Sequence, residues 1–263
     1  MIIIKVGGGS RINTAGVAAD LSKLEESFLI VHGANAVRDA LARKLGIEKR
    51  TVTSISGYSS VLTDEAMIDL QMMAYAGLQN KRLVALCQRH GINAVGLSGL
   101  DGRIIQGERN KGIRIREGGK RRIVRDFSGK PRSVNTSLIR LLLENGFTPV
   151  LCVPIIDENG YAINSENDDI VTVIQHAVNA DKIIQLIEAP GFLENMDDPG
   201  SLVKHISREE LIRREEQVDG RMKRKMLALR KLFEQGAGQV YISDGRSEHP
   251  VHDALNGKGT IIQ

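Results

Sequence analysis

A lysine and three glycines end the first apolar run of the chain. Ile2, Ile3, Ile4 and Val6 flank Lys5, and Gly7, Gly8 and Gly9 follow directly. Glycine permits positive φ and lets a ligand approach the backbone closely, and a neighbouring ammonium group could neutralise an anion. Taken alone, K-x-G-G-G lacks the spacing of a P-loop or of a dinucleotide-binding fingerprint, so a plain strand-to-helix turn also fits.

Two more loops of small residues follow apolar runs. Gly33, Ala34 and Asn35 come after the run at 28–31, and residues 98–102 come after a run that ends near Leu97. The N–H groups at the start of a helix attract anions, and the carboxyl ends of parallel strands share one edge of a sheet. The three loops are therefore predicted to border one ligand crevice.

Charged residues near two predicted helix starts could add to such a crevice. Asp168 and Asp169 open a helical pattern at "NSENDDIV", where acids often serve only to cap a helix or to complement its dipole. Lys223, Arg224 and Lys225 lie on an amphipathic helix, where a run of charge is usually a solvated face. The residues alone leave both alternatives open.

Residues 111–132 hold nine Lys/Arg and two acids. Two short alternating runs meet at Gly118 and Gly119, which predicts a hairpin. We name residues 108–132 the basic hairpin. It could be a solvated surface, a nucleic-acid site or a docking site for an acidic protein. With four Tyr, five Phe and no Trp in the chain, aromatic platforms for single strands are scarce, and we expect no nucleic-acid partner.

The elements that would position these residues alternate along the chain. Strand-like runs at 2–6, 28–31, 93–97, 149–153, 183–187 and 239–242 are separated by helix-like stretches, which is typical of a parallel sheet covered by helices. The 263 residues include no membrane-span pattern and no signal peptide. Cys87 and Cys152 are expected to be free buried thiols. These features favour a cytoplasmic α/β enzyme without a membrane partner.

Six motifs, taken together and in order, resemble those of the amino acid kinase family. They are "KVGGG" at 5–9, "VHG" at 31–33, "GLSGLDG" at 96–102, "NSENDD" at 164–169, "APGFL" at 189–193 and "GRMKRK" at 220–225. The resemblance implies a three-layer αβα sandwich with a mainly parallel sheet. It implies an acceptor-binding lobe at 1–170 and a nucleotide-binding lobe at 171–263, which form one continuous α/β domain, and a homodimer.

The family resemblance also implies roles for individual residues. ATP would phosphorylate a side-chain carboxylate, with Lys5 and Lys225 on the phosphates and Asp168 holding both lysines. Mg²⁺ would bridge the phosphates with few direct protein ligands, and no residue is assigned as one. The phosphates and nucleotide would contact Gly7, Gly8, Gly9 and Gly191, and the acceptor would contact Gly33, Ala34, Ser59, Val61 and Asn164.

Within that family, residues 108–135 look most like the branch that phosphorylates glutamate or 2-aminoadipate held on a small acidic carrier protein. Carrier docking would then use Lys120, Arg121, Arg122 and Arg125. N-acetylglutamate kinases, which act on a free acid, are the nearest alternative, and a relative with a changed acceptor is another.

The chain departs from the family at two places in the acceptor site. Val61 stands where relatives usually carry an arginine for the acceptor's α-carboxylate, and Ala34 and Asn35 replace two glycines. Either the acceptor differs, or Arg38 or a cation of the basic hairpin supplies the missing charge. The sequence does not choose between these alternatives.

Overall fold

A computed structural model describes residues 1–53, 55, 59–117, 120–195, 197–217, 220–234 and 236–263. Their side chains are described except at 59–60, 116–117, 199 and 220–225. The strands are β1 (Ile2–Val6), β2 (Phe28–His32), β3 (Thr51–Thr53), β4 (Ser59–Val61), β5 (Ala94–Gly99), β6 (Ile105–Arg109), β7 (Ile113–Glu117), β8 (Lys120–Val124), β9 (Gly129–Val134), β10 (Thr148–Ile156), β11 (Ala162–Ile163), β12 (Lys182–Ile187), β13 (His205–Ile206), β14 (Gln239–Asp244) and β15 (Gly259–Ile262).

The helices between these strands include one long continuous segment. They are α1 (Thr14–Leu21), α2 (Asn35–Leu45), α3 (Glu65–Gln71), α4 (Asn80–Arg89), α5 (Thr136–Glu144), α6 (Asn167–Val178), α7 (Arg208–Gln217), α8 (Gly220–Glu234) and α9 (Pro250–Leu255). A π-helix, Met72–Gln79, joins α3 to α4 without a break. In the described ranges, no helix combines the length and the apolar character needed to cross a bilayer.

The main sheet joins eleven of these strands in the order β13-β15-β14-β12-β1-β2-β10-β6-β9, with β5 and β11 also paired to β10. The strands β12, β1, β2 and β10 run parallel, and β1 lies between β2 and β12. Lys5 is level with Val31 on one side and Gln185 on the other. The large, mainly parallel sheet confirms the predicted α/β architecture.

Alternation along β1 produces a core on each face of the sheet. Ile3 belongs to a buried cluster that contains Ile170 and Ile174 of α6. Ile2 and Ile4 belong to the opposite cluster, with Val17 of α1 and Leu83 of α4. Successive side chains of a strand point to opposite faces, so Lys5 shares the face of Ile3. The strand therefore directs Lys5 toward α6.

The basic hairpin forms the outer part of a four-strand arm. β7 and β8 pair with each other as a separate two-stranded sheet. β6 and β9, which lead into and out of this pair, are joined to each other at the edge of the main sheet. The apolar side chains Ile113, Ile115 and Val124 pack against Val52 and Leu62, next to the small β3–β4 sheet. The predicted turn at Gly118 and Gly119 lies outside the described residues. The hairpin is thus held against the small β3–β4 sheet by packing as well as by its own strand pairing.

Candidate active site

Lys5 and Asp168 meet where β1 ends and α6 begins. The Lys5 ammonium donates to Asp168 Oδ1, and the two side chains are 13% and 31% exposed. Asp168 lies in the first turn of α6, where the helix dipole favours a negative charge. Its carboxylate thus reaches across to the adjacent strand, which favours the site interpretation over a purely local helix role.

The first two glycine loops pack directly on each other beside this pair. A Cβ atom on Gly8 would lie 2.7 Å from the Ala34 nitrogen, and one on Gly33 would lie 2.8 Å from the Gly8 nitrogen. Gly7 donates its N–H to the Leu186 carbonyl at 2.9 Å. Within the described residues, the N–H groups of Gly8 and Gly9 have no acceptor. These groups fit an anionic ligand such as a phosphate.

Two buried polar atoms without partners lie at and just before the start of α6. Asn167 Oδ1 and Ser165 Oγ are buried and lack a hydrogen-bond partner within the described part of the chain. The Asn167 amide nitrogen would lie 3.3 Å from a Cβ atom on Gly33. Buried polar groups normally have partners, so these atoms are suited to a ligand that enters beside the glycine loops.

Two predicted site residues have side chains that the structure does not describe. Lys225 lies in α8, and α8 packs on α6 through the buried Met226. Ser59 begins β4. For both residues the structure establishes the position of the backbone only, so the roles assigned to their side chains stay predictions.

The predicted acceptor residues Val61 and Asn164 have different surroundings. Val61 packs with Ala42, Met67 and Leu70 in an apolar cluster between α2 and α3. Asn164 donates its backbone N–H to Phe127 at 2.7 Å, and its carbonyl accepts from Gly129 at 2.9 Å. Asn164 is therefore held by Phe127 and by Gly129, the first residue of β9. The Val61 side chain offers no charge.

Two other predicted loops pack on apolar neighbours. Gly191 is buried, and a Cβ atom there would lie 2.7 Å from Leu202 and 2.8 Å from the Thr260 hydroxyl. This close packing explains the glycine, and a contact between its backbone and a nucleotide stays a prediction. In the third small-residue loop, Gly99 packs on Ile155 and Gly102 on Leu138. The structure thus joins the first two loops directly, and the third packs elsewhere.

The basic hairpin is linked to the residues around Asp168. Lys120, Arg121, Arg122 and Arg125 are all exposed. At the base of the arm, Lys130 of β9 pairs with Asp169, the residue next to Asp168. Buried Asp126 accepts the Thr63 N–H at 2.8 Å, which ties the arm to the segment that follows β4. The exposed cations and helix α6 are thus connected through the base of the arm.

Two hydrogen bonds and one packing contact at the site were not predicted from the sequence. Tyr75, in the π-helix, donates its hydroxyl to Asn35 Oδ1 at 2.6 Å, and Asn35 replaces a glycine of the family pattern. Glu188 packs on Gly9 and accepts the Arg11 N–H at 2.6 Å. The presence of Asn35 where the family resemblance implies a glycine was the only sequence signal for the Tyr75–Asn35 hydrogen bond. Nothing in the sequence placed Glu188 beside Gly9, because the two are 179 positions apart.

His32 is part of the core beneath the second loop. It is fully buried, and burial lowers its pKa from 6.5 to about 4. Asn80 Nδ2 lies 3.1 Å from His32 Nε2, and His32 Nδ1 lies 3.3 Å from the Gly33 carbonyl. Nε2 accepts and Nδ1 donates in the neutral ring. This agrees with a structural role for His32.

The protein groups suit nucleotide phosphates better than a bare metal ion. In the described ranges, no cluster of three His, Cys, Asp or Glu side chains is arranged to hold a metal. Lys5, the free loop N–H groups and the close approach at Gly8 instead fit phosphate oxygens. A magnesium ion would be held mainly by phosphate and water, as this hard cation prefers.

Comparison with known proteins supports this interpretation of the geometry. Residues 1–244 match the amino acid kinase family. The chain is 38% identical to a [LysW]-aminoadipate kinase of Thermus thermophilus and 31% identical to an acetylglutamate kinase of Methanopyrus kandleri, with 100% of both chains covered in each case. In fold it is similar to the carbamate kinase of Giardia lamblia bound to AMP-PNP, with a TM-score of 0.69, 16% identity, and 99% and 97% of the two chains covered. From the Lys5–Asp168 pair to the full-length match, the findings agree that this chain is a phosphotransferase that belongs to the amino acid kinase family.

Proposed function

We propose that the enzyme transfers the γ-phosphoryl group of ATP to the distal carboxylate of glutamate or 2-aminoadipate held by its amino group on a small acidic carrier protein. The product would be an acyl phosphate, as in lysine or arginine biosynthesis. The observation that carries the proposal is the connection between the basic hairpin and Asp168, through the neighbouring pair of Lys130 with Asp169. The named relatives that act on LysW-bound aminoadipate support it.

The reaction needs positioning and charge neutralisation more than proton transfer. An oxygen of the distal carboxylate bonds to the γ-phosphorus while the bond to the β–γ bridging oxygen breaks, which leaves ADP. The acceptor is ionised at neutral pH and loses no proton. Lys5, oriented by Asp168, and the N–H groups of Gly8 and Gly9 would face the phosphoryl oxygens as charge builds on them. Bound Mg²⁺ supplies further neutralisation of phosphate charge.

The hairpin would act on the part of the substrate that does not react. Lys120, Arg121, Arg122 and Arg125 are exposed on one arm, so an acidic carrier can reach them while its amino-acid terminus enters the crevice. Complementary charge speeds encounter and fixes orientation. Ions screen such exposed charges over about 10 Å at 0.1 M salt. Activity on a carrier-linked acceptor should therefore fall as salt rises.

The test compares ATP turnover with carrier-linked glutamate, carrier-linked aminoadipate and free N-acetylglutamate at low and moderate salt. We expect turnover of a linked acceptor that decreases with salt. Replacing Lys120, Arg121 and Arg122 by Gln should raise the KM for the linked acceptor about tenfold or more, with a smaller effect on kcat. The variant with Arg43, Lys44 and Arg89 replaced by Gln removes equal charge from exposed positions elsewhere.

The outcomes separate the alternatives. Turnover of free N-acetylglutamate alone would overturn carrier dependence and indicate an acetylglutamate kinase, the activity named for a relative 31% identical. Equal losses in the hairpin variant and its charge-matched control would overturn docking on the hairpin. We also propose a homodimer, as the family resemblance implies, and light scattering of the purified enzyme tests this directly.

A further inference from the structure

A charge cluster on α2 lies beside the second glycine loop. Arg38 Nε and Nη2 donate to Asp39 Oδ1 at 2.9 and 2.8 Å, and Lys49 donates to Asp39 Oδ2 at 3.1 Å. Burial raises the pKa of Asp39, but the hydrogen bonds from the two cations outweigh it and lower that pKa overall. Asp39 is thus an anion shared by two cations. The cluster carries one net positive charge.

Arg38 is the cation of this cluster that lies closest along the chain to the second glycine loop. It lies three residues after Asn35, which places both on one side of α2, and Asn35 receives the Tyr75 hydroxyl at 2.6 Å. Burial raises the pKa of Tyr75 to about 12, while the charge of Arg38 acts against this rise. The Asn35 nitrogen would lie 2.8 Å from a Cβ atom on Gly8. Arg38 therefore lies one helical turn from the loop that faces the phosphates.

The guanidinium group has capacity left for a ligand. The Arg38 side chain is 12% exposed, so little water solvates it. Among the described residues, its Nη1 atom has no acceptor. A guanidinium group can bind a second carboxylate through its remaining N–H groups, and such charged hydrogen bonds are stronger where water is scarce.

The proposed acceptor brings a carboxylate that needs such a partner. Amino-linked glutamate or aminoadipate retains an α-carboxylate besides the distal one that reacts. Lys5 is engaged by Asp168, and Val61 is packed among apolar side chains. An unpaired carboxylate would be costly to bring beside the phosphates. We infer that Arg38 binds the α-carboxylate of the acceptor and so determines its specificity, an inference that rests on the proposed function.

The test removes the cation and the carboxylate separately. Wild-type enzyme and Arg38→Gln would each be assayed with carrier-linked glutamate and with carrier-linked 4-aminobutyrate, which keeps the distal carboxylate but lacks the α-carboxylate. We expect Arg38→Gln to lower kcat/KM for linked glutamate about 10- to 100-fold and to change kcat/KM for linked 4-aminobutyrate less than about threefold. Arg38→Lys, which keeps the charge, should recover part of the loss.

Controls distinguish binding from folding. Arg43→Gln makes the same replacement at an exposed position of α2 and should leave both substrates unaffected. Asp39 keeps Lys49 as a partner in Arg38→Gln, so the thermal midpoint should stay near that of the wild type. The KM for ATP should also be unchanged, since Arg38 is assigned to the acceptor.

The outcomes separate this inference from the function on which it rests. Equal loss on both acceptors in Arg38→Gln would overturn the role of Arg38 and leave the carrier-dependent kinase intact. If the wild type phosphorylates only free acids, the carrier proposal fails, and N-acetylglutamate with 4-acetamidobutyrate makes the same comparison for Arg38. If the wild type phosphorylates none of these acids, both proposals are overturned.

Discussion

Replacing Asp168 by Asn keeps the shape of the side chain and removes the charge that holds Lys5. Lys5 is 13% exposed, so its ammonium has little water to replace the lost carboxylate. Two unit charges about 4 Å apart interact by about 4 kcal/mol at the effective dielectric of a protein surface, and this is an upper value because Asp168 is 31% exposed. We expect kcat to fall by about 10²- to 10³-fold, the range found when one preorganised electrostatic contact is removed.

The neighbouring acid provides a matched control for this variant. Asp169 lies in the same helical turn, but its partner Lys130 is 56% exposed. Exposed pairs contribute about 0.2–1 kcal/mol, so Asp169→Asn should change kcat by less than about fivefold. ADP release under saturating ATP and acceptor measures both. Similar kcat values for the two variants, or a loss in Asp168→Asn confined to the acceptor KM, would refute the role of Asp168 in orienting Lys5.

Two further predictions concern buried groups. Burial lowers the pKa of His32 from 6.5 to about 4. As the pH falls below 6.5, the unfolded chain therefore binds a proton at this residue while His32 of the folded chain stays neutral. This group alone should lower the free energy of unfolding by about 2 kcal/mol from pH 7 to pH 5 in urea titrations, and an unchanged pH dependence in His32→Gln would contradict its assignment. Burial also raises the pKa of Cys87 to about 11 and that of Cys152 to about 12. Dithionitrobenzoate should label both thiols in urea and neither in the native enzyme, and rapid native labelling would contradict their burial.

The central strands and the arm were predictable because their signals are local. Apolar runs predicted β1, β2 and β12 within a residue or two at each end. Alternating basic and apolar residues around paired glycines predicted β7 and β8. In each case the pattern of one short segment suffices to define the element. The Lys5–Asp168 contact joins distant segments, and only the family resemblance predicted it.

The contacts that the sequence did not reveal depend on tertiary packing. The π-helix at Met72–Gln79 has the composition of an ordinary helix, yet it turns Tyr75 toward Asn35. Val61 was predicted to line the acceptor site, but its neighbours in an apolar cluster lie on α2 and α3. The third loop follows the end of a strand as predicted. Its Gly99 packs closely on Ile155. None of these arrangements has a short-range signature.

The position of β1 has a consequence for how such an enzyme can diversify. β1 is hydrogen-bonded to β2, which leads to the predicted acceptor loop, and to β12, which leads to the predicted nucleotide loop. Neighbouring strands are spaced about 4.8 Å apart by their backbone hydrogen bonds, whatever side chains they carry. With the two loops in the proposed roles, main-chain geometry would set the distance between the bound nucleotide and the acceptor. Substitutions in the loops and in the arm could then select a new acceptor without changing that distance.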